Sequence, residues 1–146
     1  MSKYTAVYDA CVLYPAPLRD LLMQLAAARL FRVKWTTKIH EEWTRNLLAN
    51  REDLKQADLD RTVELMNTAL PDALIEGYES LVEGIVLPDK NDRHVVAAAI
   101  FGRADAIVTT NLKDFPADVL AKYNLEALHP DDFISLQITL DQAAVL

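Results

Sequence analysis

Four carboxylates, Asp9, Glu42, Asp92 and Asp114, stand where folding alone explains them poorly, with Asp89 and Asn111 close by. Asp9 closes the run Tyr4-Thr5-Ala6-Val7-Tyr8 and is followed by the apolar Ala10-Cys11-Val12-Leu13. A charge inside such a run is costly to bury unless something compensates it, and a metal cation does so most directly. Gathered by a fold, these acids would form a pocket for Mg²⁺ or Mn²⁺. The chemistry such a pocket supports is metal-dependent hydrolysis of a phosphodiester.

Each acid also has a structural reading. Asp9 could cap a turn before the first helix, although the residues after it lack turn chemistry. In a helix capped by Thr37, Ile39, Trp43 and Leu47 share one face; Glu42 lies at its edge and Glu41 points to solvent. The alternative for Glu42 is an ordinary pair with Arg45, worth only ~0.2–0.5 kcal/mol. Asp92 faces the same way as Val96 and Ala99 on its helix, so its carboxylate points inward and needs a partner. Asp89 is its rival, because Asp89-Lys90-Asn91-Asp92 also resembles a capping arrangement. Asp114 follows the polar stretch Thr109-Thr110-Asn111-Leu112-Lys113, where Thr110 and Asn111 are candidates to orient a water or a metal ligand. A plain loop with an N-cap is the alternative there.

The elements that must position these residues follow from periodicity and turn chemistry. A first strand ends at Asp9, and Pro15 and Pro17 open a helix from about Leu18 to Leu30. Phe31 to Thr36 alternates as a short strand, followed by helices over Thr37–Asn50 and Leu54–Leu70. Between residues 72 and 88, Ala73-Leu74-Ile75 and Ile85-Val86-Leu87 read as short strands around a helical turn at Tyr78 to Gly84. A helix over Asn91–Gly102, a strand at Ala106–Thr109, a short helix from Pro116, an edge strand at Glu126-Ala127-Leu128 and a final helix from Pro130 complete the chain. Strands alternating with helices predict an α/β sandwich with a mostly parallel sheet, one domain over residues 1–146. Ligands bind such sheets beyond the carboxyl ends of the strands, where Asp9, Asn111 and Asp114 fall.

Composition bounds the alternatives. The chain has 146 residues, half of them apolar, and a formal charge of −7. Charge argues against a broad basic nucleic-acid surface, although carboxylates reserved for metal count against the total while serving an anionic substrate. The cations Arg29, Arg32, Lys34, Lys38, Arg45 and Arg51 gather in the first third. A single cysteine, Cys11, leaves no internal disulfide. With no signal peptide and no apolar run of membrane-spanning length, a cytoplasmic location away from membranes is expected. His40, His94 and His129 lack zinc-ligand spacing, with His94 expected at the surface, and neither a Gly-rich phosphate loop nor a serine nucleophile elbow occurs. Trp35 and Trp43 read as core residues, with base stacking as a minority alternative.

The motifs Val7 to Leu13, Thr36 to Trp43, Leu87 to Ala99 and Ile107 to Pro116 together resemble the PIN domain family, in order and spacing, from residue 4 to about 135. The flavour is similar to the bacterial branch of VapC-type toxin ribonucleases. The resemblance implies a parallel sheet, Mg²⁺ or Mn²⁺ held by carboxylates, and endonucleolytic cleavage of RNA. Asp9, Glu42 and Asp92 take the places of the three core acids, and Asp114 or Asn111 the variable fourth. Substrate contact would be local, through Lys38, Arg45, Arg93 or Lys113. A cognate antitoxin and a homodimer are the implied partners. Alternatives are a non-catalytic PIN-like module that binds RNA or an antitoxin, and a housekeeping RNA-processing nuclease. A small-molecule phosphatase is disfavoured, because Asp9-Ala10-Cys11 lacks a second aspartate two residues on.

Overall fold

The computed structural model describes residues 3–145, and the side chains of residues 3–139. Strand β1 (Thr5–Tyr8) is buried along its whole length, as expected of β-branched and aromatic residues at the centre of a parallel sheet. It pairs in parallel with β2 (Arg32–Lys34) on one side, in the register Thr5 to Arg32, and with β3 (Ala106–Val108) on the other, in the register Ala6 to Ala106. The edge strand β4 (Glu126–Leu128) adds to β3, giving the order β2-β1-β3-β4, parallel throughout. The chain thus forms an α/β fold on an open four-stranded parallel sheet.

Two expected strands are not formed. Ala73-Leu74-Ile75 contributes an isolated bridge, with Trp35 N donating to Ala73 O at 2.9 Å and Ile75 N to Trp35 O at 2.8 Å. Ile85-Val86-Leu87 buries its first and third residues and exposes Val86, but pairs with no strand. Alternating burial alone does not make a strand; a ladder partner is also needed.

The helices lie close to their expected places. Asp9 caps the one-turn helix α1 (Ala10–Leu13), which periodicity did not reveal because it is shorter than two turns. α2 (Ala16–Ala27) begins before Pro17, which the first turn tolerates, and ends before Leu30 because Arg29 turns the chain with φ 62. α3 (Thr37–Asn50) is capped by Thr36 rather than Thr37: the Thr36 hydroxyl accepts from Ile39 N at 3.1 Å. α4 (Gln56–Ala69) follows, then a 3₁₀ segment at Glu79–Gly84. A 3₁₀ turn at Lys90–Asp92 leads into α5 (Arg93–Phe101), and α6 (Ala117–Ala121) and α7 (Pro130–Val145) complete the chain.

The connections dictate where a site can form. From β1 the chain crosses to β2 on one side; from β2 it returns past β1 to β3 on the other. Right-handed crossovers therefore put α2 on one face and the α3–α5 connection on the opposite face. Tyr8 faces the first layer, packing near Phe31 and Phe133 and donating its hydroxyl to Leu22 O at 3.2 Å. The strand order reverses between β1 and β3, opening a crevice at their carboxyl ends.

Candidate active site

Asp9 stands at that crevice, immediately after β1 and 6% exposed. Its Oδ1 accepts from Ala10 N at 2.8 Å, and its Oδ2 accepts from the Thr109 hydroxyl, at the end of β3, at 2.9 Å. Thr109 Oγ1 also accepts from Asn111 N at 3.0 Å, so one buried hydroxyl holds both Asp9 and the chain leaving β3. Burial pushes the Asp9 carboxyl above the usual carboxylate range; the Thr109 and Ala10 bonds oppose the rise and the charge of Glu42 adds to it. Among the described residues no cationic side chain pairs with Asp9.

Asp9, Glu42, Asp92 and Asn111 line one cavity of about 400 Å³. Glu42 reaches it from the edge of the buried stripe Ile39, Trp43 and Leu47, while Glu41 is exposed. Asp92 sits at the start of α5 without bonding a helix N–H, so its carboxylate is left to the cleft. Its pKa is pushed up to about 6, first by burial and then by the charges of Asp9, Asp89, Asp114 and Glu42. Asp89 is instead an exposed cap: its Oδ1 accepts from Asn91 N at 2.9 Å. Asp114 lies outside the cavity lining, in the 3₁₀ turn Leu112–Asp114, near enough for its charge to raise Asp92.

Several positions differ from expectation. Of the four cations assigned to substrate, only Arg45 lines this cavity. Lys38 and Arg93 line a separate cavity of about 390 Å³, with Tyr78 and His94, and Lys113 is an exposed residue of the β3 exit turn. Thr110 is exposed and its amide donates to Cys11 Sγ at 3.3 Å; the hydroxyl that orients Asp9 belongs to Thr109, one residue earlier. His94 is buried rather than at the surface, with Nε2 3.0 Å from Glu42 Oε1. That approach is close but off the axis of a hydrogen bond, and neither ring nitrogen makes an aligned one.

Three further lining residues, Tyr14, Asn46 and Asn50, escaped sequence reasoning. The signal for two of them was present: Glu42, Asn46 and Asn50 are spaced four apart and share a face of α3. Tyr14 and Asn50 meet at the rim, where Asn50 Nδ2 donates to the Tyr14 hydroxyl at 3.0 Å. Behind this wall, Arg19 Nη1 donates to Leu13 O at 2.7 Å and its guanidinium stacks over Trp43 at 4.6 Å. Those contacts tie α1 and α2 to α3. Trp35 and Trp43 are fully buried and offer bases nothing to stack on. His40 accepts from Trp43 Nε1 at 3.0 Å, and burial lowers its pKa to about 4, so it packs as a neutral ring.

The crevice at the topological switch point of this parallel sheet is walled by carboxylates from the end of β1, from α3 and from the start of α5. The chain belongs to the PIN domain family, whose pattern residues 5–113 match. A stretch of 75 residues is 49% identical to a Mycobacterium tuberculosis protein named "Putative ribonuclease VapC50". That stretch covers 51% of this chain and 44% of the relative, so less than half of the relative's length is matched.

Proposed function

We propose that the chain is an endoribonuclease that hydrolyses RNA phosphodiester bonds with a divalent cation, Mg²⁺ or Mn²⁺. The observation that carries this reading is Asp9: a buried carboxylate that no cationic side chain among the described residues pairs with, lining one cleft with Asp92 and Glu42. All the acidic donors are hard oxygens, which suit these ions. Among the described residues no three His, Cys, Asp or Glu side chains stand close enough to ligate one ion directly. The donor set therefore fits a cation that keeps several of its waters, as Mg²⁺ does, better than one caged by protein.

In this reading Asp9 and Asp92 would hold the cation and Glu42 would orient the attacking water. When bound, the cation would lower the pKa of water and offset charge on the phosphoryl group. Thr109 keeps Asp9 aimed at the cleft, and Arg45 meets a substrate phosphate at the rim. The water oxygen bonds to phosphorus as the bond to the 3′-oxygen breaks, leaving a 5′-phosphate and a 3′-hydroxyl. The VapC-type resemblance supports placing the chain as the toxin of a type II toxin–antitoxin pair, cytoplasmic, homodimeric and inhibited by a cognate antitoxin.

The test is cleavage of a mixed single-stranded RNA pool by the purified chain, with and without Mg²⁺ or Mn²⁺, beside Asp9→Asn. Metal-dependent cutting lost in the variant is expected. Cutting that survives EDTA, or products ending in a 2′,3′-cyclic phosphate, would overturn the mechanism.

A further inference from the structure

A second cavity, of about 600 Å³, opens beside the edge strand β2. Four of its lining residues are Lys3, Arg29, Arg32 and Lys34; among the described residues Asp72 is its only acid. In a chain with 22 acidic and 15 basic residues, this cavity is locally positive against the net charge. The charge is also uncompensated. Lys3 Nζ donates to Arg29 O at 2.6 Å and Lys34 Nζ to Asp72 O at 2.7 Å, so backbone carbonyls, not carboxylates, hold both ammonium groups. Among the described residues none of the four cations forms an ion pair. Arg29 occupies φ 62 at the end of α2, a position helices commonly give to glycine.

We propose that this cavity is an exosite for the phosphodiester backbone of RNA, an inference that rests on the ribonuclease reading. The acidic cleft and the net charge of −7 repel a polyanion, so encounter must be driven from a locally positive surface. Arg32 pairs with Thr5, four residues before Asp9, which places it roughly 13 Å from the cleft along the strands. A stacked strand advances ~3.4 Å per nucleotide, so at least about four nucleotides are needed to span the two sites. The cavity's one aromatic, Phe31, is buried, so the site reads backbone charge and not bases.

The experiment compares the native chain with the double variant Arg29→Gln/Arg32→Gln. Neither side chain makes a hydrogen bond among the described residues, so the variant loses charge without losing an internal contact. Binding of an unstructured 20-nucleotide RNA and of a trinucleotide is measured over a range of salt without divalent metal, and cleavage of both with Mg²⁺. For the 20-mer, the slope of log affinity against log salt should become shallower by about 1.4, two contacts at ~0.7 each. Its KM should rise while kcat holds, and the trinucleotide should be unaffected. An unchanged slope with normal cutting overturns the exosite alone; equal losses on both RNAs do the same. If the 20-mer slope is unchanged and binding of an oligoglutamate peptide falls, the cavity serves an acidic polypeptide and the proposal is wrong. If the native chain neither binds nor cuts the 20-mer, the ribonuclease reading fails with it.

Discussion

His94 Nε2 lies 3.0 Å from Glu42 Oε1, joining α5 to α3 behind the acidic cleft. Glu42 is partly exposed and His94 is buried against it, close enough to limit where the carboxylate can turn although no aligned hydrogen bond joins them. Outer partners of this kind are worth ~10–100-fold in activity. His94→Ala should lower kcat within that range with little change in KM, and His94→Gln, which can return a donor to the same region, should recover part of it. Equal loss in both variants, tracking their melting temperatures, would assign His94 to packing alone.

Asp9→Asn should separate folding from chemistry. The amide keeps an acceptor for Ala10 N or Thr109 and sheds a charge that burial disfavours. The metal-free variant should therefore melt no lower than the native chain. A cation contributes several kcal/mol to transition states of this type, so cleavage should fall by ~10²-fold or more. Thermal melts in EDTA and in Mg²⁺ check both halves, since the variant should also lose most of the Mg²⁺-induced rise.

Thr109→Val removes the hydroxyl that links Asp9 to the exit of β3 while keeping the shape of the side chain. It leaves Asp9 Oδ2 without that donor inside a buried setting. Activity should drop by roughly tenfold, and Mg²⁺ affinity, read by titration calorimetry, should weaken in parallel. Thr110→Val should leave both near native values, because the Thr110 contact to Cys11 is made by the backbone.

Asp92 gives a pH signature. Its pKa near 6 lies above the ordinary value of about 3.9, so the fold favours the protonated form. The stability this group contributes is complete below about pH 4 and is lost as pH rises through 6. In metal-free buffer Asp92→Asn should thus raise the melting temperature at pH 7.5 and leave it nearly unchanged at pH 4. Protons and metal compete for the same carboxylate, so Mg²⁺ should stabilise the native chain more at pH 7.5 than at pH 5.

A purely structural prediction concerns Trp35, whose buried indole N–H donates to Asn67 Oδ1 at 2.7 Å. Asn67→Ala orphans that donor and should cost ~1–3 kcal/mol in denaturant unfolding, with cleavage unchanged under stable conditions.

How much of this was legible in the sequence depends on the range of each interaction. β1 and the acid that ends it are readable, because a charge inside an apolar run violates a local pattern. Glu42 is readable from the wheel of α3, and Asp92 from its spacing to Val96 and Ala99. The burial of His94 is not, since it depends on α3 meeting α5, and no local period reports that contact. Thr109 and Thr110 are neighbours of the same type, and only the end of β3 decides which hydroxyl turns inward. Arg93 and Lys38 share the composition of substrate-binding cations but project into another cavity, a direction that charge counts do not carry.

The hydrogen bond between Thr109 and Asp9 spans 100 residues of chain. At ribosomal rates of ~5–20 residues per second, at least ~5 s separates synthesis of the two partners. Until β3 inserts beside β1, Asp9 has neither its hydroxyl donor nor the second wall of its cleft. Prematurely terminated chains ending before β3 therefore carry Asp9, Glu42 and Asp92 without the crevice that assembles them. On the ribonuclease reading, the chain would stay inert on the ribosome that makes it until β3 has emerged and paired with β1.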